Sequence, residues 1–155
     1  MIRMIVGILL ILFVAAPSFA QQQSLVGTYQ FIKQTVVLDG VTTEPMGRKP
    51  SGYLIITPTR LVMFVTAENR KSGTSMQEKA GLLDSLVAWS GPYRIEGNKI
   101  IVKADASWVE TWTGKDQVRN WELSGKRLSL FTEGIRYSRD PSKIVNTAME
   151  FEKIE

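Results

Sequence analysis

Three tryptophans, the carboxylate of Glu110 and the guanidinium of Arg119 lie within fourteen residues, Trp108-Val-Glu-Thr-Trp112-Thr-Gly-Lys-Asp-Gln-Val-Arg119-Asn-Trp121. A hairpin turning at Thr113-Gly-Lys-Asp116 would set Trp112 opposite Gln117, Glu110 opposite Arg119 and Trp108 opposite Trp121. Strand side chains alternate, so all six would share one face. Ile100, Val102, Ala104, Ala106 and Leu123 extend that face, while Lys103 and Asp105 point away. The tryptophan face is thus the apolar one, and in a barrel it is the interior. Polar groups set in an aromatic wall are how such a barrel holds a small ligand. The assignment depends on turn length, because a one-residue slip turns one strand over.

Glu110 and Arg119 admit two readings. In one, Arg119 binds the polar head of a ligand inside the barrel and Glu110 tunes it. A carboxylate among indoles would have a raised pKa, and the arginine opposite would lower it. In the other they form a half-solvated pair near the rim, worth ~0–1 kcal/mol. Glu110 lies nearer the hairpin end, which favours the rim. Arg119 has apolar neighbours two and four residues on, and buried without a partner it would cost several kcal/mol. Tyr53 and Tyr93 are further candidates for the wall. Trp89, at the helix end, either closes one mouth of the barrel or simply packs the helix on it, and the second reading is preferred.

Composition narrows the chemistry. The 155 residues include no histidine and no cysteine. The usual zinc, copper and haem ligands are therefore missing, as is the usual base for a serine or cysteine nucleophile. No cofactor or metal is implied. The net charge of +4 is scattered, without the clustered basic face of a nucleic-acid binder or the basic amphipathic run of a membrane-surface helix. At the N-terminus, Arg3, the apolar run Met4 to Ala16 and the small residues of Ser18-Phe-Ala20 read as a secretory signal peptide over residues 1–20. Thirteen apolar residues are too few for a spanning helix, which needs ~20. Cleavage after Ala20 leaves residues 21–155 as one domain, periplasmic or extracellular, with no stable membrane insertion. Nothing in the sequence speaks to oligomeric state.

The elements follow from patterning. Leu25 to Leu38 reads as a long strand ending at Asp39-Gly40, and Thr43 to Ser51 as a loop. Gly52 to Thr57 and Arg60 to Thr66 read as a hairpin buried on both faces. Ser75-Met-Gln-Glu78 is a capping box. The apolar stripe after it predicts one α-helix near residues 76–89, ending at Gly91-Pro92. Tyr93 to Glu96, Lys99 to Ala106, the tryptophan hairpin, Arg127 to Thr132 and Thr147 to Ile154 complete the chain, with a loop from Glu133 to Asn146. About eight short strands and one helix predict an all-β, antiparallel up-and-down barrel.

Several segments together resemble the lipocalin-like domain proteins of the calycin group. They are Leu25-Val-Gly-Thr-Tyr29, Thr43-Glu-Pro-Met-Gly47, Gly52-Tyr-Leu-Ile-Ile-Thr-Pro58, Ala88-Trp-Ser-Gly-Pro-Tyr93, Trp112 to Arg119 and Leu123 to Leu130. The resemblance spans Leu25 to Lys153 and implies a barrel whose first and last strands close on each other. It also implies that Tyr29 plugs the barrel floor, in place of the tryptophan usual in calycins, with its phenol seeking a partner. Members often carry histidine in the strand matching Ile100 to Ala106 and proline at the position of Glu110. Neither is present, so no histidine-based activity carries over and Glu110 has no support from the family.

Taken together, the sequence predicts an exported protein that encloses a small hydrophobic or amphipathic ligand. Arg119 would anchor it, and Trp108, Trp112, Trp121, Tyr93, Tyr53 and Tyr29 would surround it. An isomerase or cyclase using Glu110 as its proton carrier ranks second. An envelope or stress scaffold with a filled barrel ranks third.

Overall fold

Asp39 and Gly40 both take positive φ, 51° and 76°, the type I′ geometry that reverses a strand in two residues. They join β1 (Gly27–Leu38) to the short β2 (Val41–Thr43). The computed structural model describes residues 22, 24–137 and 140–155; the expected signal peptide, residues 1–20, lies outside the described residues. The chain continues through β3 (Ser51–Ile56), β4 (Arg60–Thr66), α1 (Met76–Asp84), β5 (Leu86–Glu96), β6 (Lys99–Lys103), β7 (Ala106–Ser107), a 3₁₀ turn (Glu110–Trp112), β8 (Asp116–Ser124), β9 (Arg127–Tyr137) and β10 (Asp140–Lys153).

Hydrogen bonding runs β1-β3-β4-β5-β6-β8-β9-β10 and returns from β10 to β1. Every pairing is antiparallel, which makes an eight-stranded up-and-down barrel with β2 and β7 as short additions. Closure removes the exposed sheet edges and gives each strand an inner and an outer face. The expected all-β barrel and its closure of first strand on last are both observed.

One end of the barrel is solid. Leu25, Tyr29, Leu54, Ile56, Leu61, Ile100, Leu128 and Phe151 are all essentially inaccessible there. Tyr29 occupies the floor position and its hydroxyl donates to the carbonyl oxygen of Leu25 at 2.9 Å. Burial, and secondarily the nearby Tyr93, raise its pKa above 10.0.

Four expectations about the elements need correction. The helix spans only Met76 to Asp84. Its capping box forms as expected, with the Ser75 hydroxyl accepting from the Glu78 amide and the Glu78 carboxylate accepting from the Ser75 amide. Leu86 to Trp89 instead start β5, because pairing with Thr66 to Met63 buries Trp89 inside the barrel. The helix buries no residue, and Met76 and Leu83 are 81% and 51% exposed. The β3–β4 hairpin is buried on one face only. Leu54, Ile56, Leu61, Met63 and Val65 point in, while Tyr53, Ile55 and Phe64 lie exposed on the outer surface. The expected loop from Glu133 to Asn146 is largely strand. Gly134, at φ 63°, donates its amide to the Asn146 side chain at 2.8 Å. A register shift there lets β9 and β10 run on past the bend.

The fourth correction is the tryptophan hairpin. β8 pairs with β6, setting Arg119 opposite Ile100 and Gln117 opposite Val102. Residues 104–115 form a loop outside the β6–β8 ladder. It is closed by the Gly114 amide on the Ala104 carbonyl (2.7 Å) and the Ala104 amide on the Lys115 carbonyl (3.1 Å). The Trp108 amide bonds to the Ala88 carbonyl at 2.8 Å, so the loop leans on β5. Gly91 allows this exchange of neighbours. A Cβ there would stand 2.0 Å from the Lys103 carbonyl oxygen, so only glycine fits where β5 passes from β6 to β7.

Two outcomes test this layout. Leu61→Ala should cost about 2–5 kcal/mol in urea unfolding, whereas Leu83→Ala on the exposed helix should stay within about 0.5 kcal/mol. Tyr29→Phe should cost about 1 kcal/mol at neutral pH for the lost hydrogen bond. Above pH 10 the unfolded chain releases the tyrosine proton while the folded chain retains it, so stability falls as pH rises. The Tyr29→Phe protein should therefore lose stability less steeply in alkali, as read from urea midpoints against pH.

Candidate ligand-binding cup

The half of the barrel away from Tyr29 is open. Its cavity holds about 720 Å³, within the ~300–1,000 Å³ typical of small-molecule sites. The lining is mostly apolar: Val36, Met46, Met63, Val87, Trp89, Trp108, Trp112, Leu130, Val145 and Met149, with Gln34, Gln117 and Thr147 as neutral polar members. Asp84, Asp116 and Arg136 also border it, but all three are exposed. Asp116 is already paired with Arg94 at 3.1 Å.

Arg119 is the charge inside. The inner face of β8 presents Gln117, Arg119, Trp121 and Leu123 in turn, from the open half toward the filled one. Arg119 thus stands at the boundary, opposite the fully buried Ile100. Among the described residues no carboxylate lies within ion-pair distance of it. Its Nη1 donates to the carbonyl of its neighbour Val118 at 2.8 Å. Its guanidinium carbon lies over the rings of Trp89 and Trp112, 5.7 and 5.6 Å from their centroids. The open cup leaves the side chain only half-buried by accessible surface. Enough protein surrounds it, however, that lost hydration lowers its pKa to about 10. It stays protonated at neutral pH. Cation–π contacts return ~0.5–2 kcal/mol and offset part of the hydration that the half-buried guanidinium loses, without neutralising it.

The indoles form one edge-to-face cluster. Trp112 stands at 86° to Trp89 with centroids 6.2 Å apart, and at 84° to Trp108 with centroids 4.9 Å apart. Trp89 comes from β5, whereas Trp108 and Trp112 come from the 104–115 loop. That loop is clasped from outside. Asp105 faces away from the barrel interior, pairs with Arg60, accepts from the Ser90 hydroxyl at 3.1 Å, and donates its amide to the Ser90 carbonyl at 2.9 Å.

The expected site residues divide accordingly. Arg119, Trp108 and Trp112 line the cup. Trp121 points inward one step deeper, packed on the core, and its buried Nε1 has no hydrogen-bond partner. Tyr29 and Tyr93 belong to the filled half, with the Tyr93 hydroxyl donating to the Thr57 carbonyl at 3.0 Å. Tyr53 is on the outer surface, because β3 turns Leu54 and Ile56 inward. Glu110 does not face Arg119. It sits exposed on the 3₁₀ turn, and among the described residues its carboxylate accepts only a long bond from the Thr113 hydroxyl, 3.4 Å. The expected Glu110–Arg119 pair is therefore absent, since the hairpin that would oppose them does not form. Trp89 was the missed wall residue. Reading it as a helix end hid the strand alternation that turns it inward with Val87.

If Arg119 burdens the fold, its removal should relieve it. Arg119→Met, an apolar side chain of similar length, should leave the empty protein as stable as before or up to about 2 kcal/mol more stable in urea unfolding at pH 7. A loss beyond about 1 kcal/mol would show a structural role instead.

The lipocalin-like domain family matches residues 26–154. No curated protein matches this chain. Among solved structures, an uncharacterized protein from Bacteroides eggerthii DSM 20697 is similar, at 16% identity and a TM-score of 0.43, over 83% of this chain and 98% of that one. With its closed antiparallel barrel and a family match over nearly the whole barrel, this chain belongs to the lipocalin-like domain family.

Proposed function

We propose that this protein is an exported container that binds one small, largely apolar ligand in the open half of its barrel, with Arg119 contacting the ligand's polar head. The observation that carries this reading is the cavity itself, about 720 Å³ with an apolar wall and one unbalanced cation. An eight-stranded barrel is wide enough for one such molecule when its side chains do not fill it. Here they fill only the Tyr29 end. Export rests on the N-terminal pattern of Arg3, the apolar run Met4 to Ala16 and Ser18-Phe-Ala20.

The enzyme reading draws less support. Glu110, its proton carrier, lies exposed outside the cup, and general acid–base catalysis needs the group within hydrogen-bond reach of the substrate. The scaffold reading calls for a filled interior, against the cavity described.

Filling the cup tests the proposal. Val87→Trp adds an indole to the inner wall. It should weaken binding of any apolar ligand by at least about tenfold while leaving the unfolding midpoint nearly unchanged, as seen by titrating tryptophan emission. Unaltered binding would place the ligand elsewhere.

A further inference from the structure

Resting on the container reading, we propose that the ligand is a carboxylic acid, bound as its monoanion with the carboxylate on Arg119 at the cup floor and the apolar body reaching toward the mouth. The charges point this way. Among the described residues that line the cup, Arg119 is the only charged side chain not at the rim, where Asp84, Asp116 and Arg136 are exposed. No carboxylate among the described residues answers it. A neutral head would leave the guanidinium uncompensated. A phosphate monoester, at about −1.5 to −2, would bring more charge than one arginine balances. A carboxylate brings one.

The hydrogen-bonding geometry agrees. Two perpendicular indoles, Trp89 and Trp112, form a corner around the guanidinium. The rings offer it no hydrogen-bond acceptor, and among the described residues only Nη1 is committed, to the Val118 carbonyl. The remaining N–H groups keep the planar fork that carboxylates match with two parallel bonds. The guanidinium thus presents more donors than the acceptors around it use, which an anion answers. Around it, Met63, Leu130, Val145 and Met149 supply an apolar wall for the rest of the molecule.

The test compares head groups on constant bodies at pH 8, following tryptophan emission. The probes are dodecanoic acid, methyl dodecanoate, dodecanol and dodecyl phosphate, with pyrenebutanoic acid and its methyl ester as an aromatic pair. Each acid should bind about 10- to 100-fold more tightly than its ester, and dodecyl phosphate more weakly than dodecanoic acid. In Arg119→Met the preference should vanish while ester affinity stays within about threefold, and Arg119→Lys, which keeps the charge but loses the fork, should retain part of the preference. Equal binding of acid, ester and alcohol would overturn the anion assignment and leave the container reading standing. Tighter binding of the phosphate, or a preference that survives Arg119→Met, would likewise overturn it. Failure of all six probes to bind would count against the container reading and this inference together.

Discussion

Pairing of β1 with β10 is the constraint on which the remainder of the molecule depends. Once the sheet closes, alternation along each strand becomes a choice between lumen and solvent, and no strand can slip without exchanging the two. Gln117, Arg119, Trp121 and Leu123 lie inward for that reason. The ladder between β6 and β8 then sets the depth of Arg119, at the level of Ile100. Below that level the lumen is packed with large aliphatic and aromatic side chains. Above it the wall is apolar but the space is open. A cup results because the large inward residues crowd one end, with Tyr29 as their base.

Within that cup, stability and recognition pull against each other. A packed barrel would bury more apolar surface, and a methionine in place of Arg119 would end the desolvation that lowers the pKa of its guanidinium. Keeping a cation where no protein group balances it is costly for the empty protein, and binding sites are where such costs are tolerated. Trp89 and Trp112 offset part of it without neutralising the charge. On the proposed reading, that charge is left for a ligand to answer.

Strand order, the two-residue turn at Asp39-Gly40, the Ser75–Glu78 cap and the inward direction of Arg119 were legible because each rests on local chemistry or strict alternation. The tryptophan hairpin was not. Its alternation is consistent by itself, and nothing local reveals that the Gly114 amide prefers the Ala104 carbonyl or that Trp108 bonds to β5. Leu86 to Trp89 could continue the helical stripe as well as start a strand, and pairing with β4 decided between them. Tyr53 misled for a related reason. An unbroken apolar run such as Tyr53 to Ile56 looks buried on both faces, yet the outer surface of this barrel tolerates Tyr53, Ile55 and Phe64 in solvent.

The loop that carries Trp108 and Trp112 stands apart from the β6–β8 ladder and is clasped to the barrel through Asp105, Arg60 and Ser90. Much of the recognition surface therefore hangs from a handle on the outside of the vessel. The exposed charges of that clasp are weakened by salt, whereas the backbone bonds from Gly114 to Ala104 and from Trp108 to Ala88 are not, so the handle has a fastening that does not depend on charge. The same separation puts two of the three indoles on a segment that the β6–β8 ladder does not fix, so the shape of this wall is set apart from the register of the strands beneath.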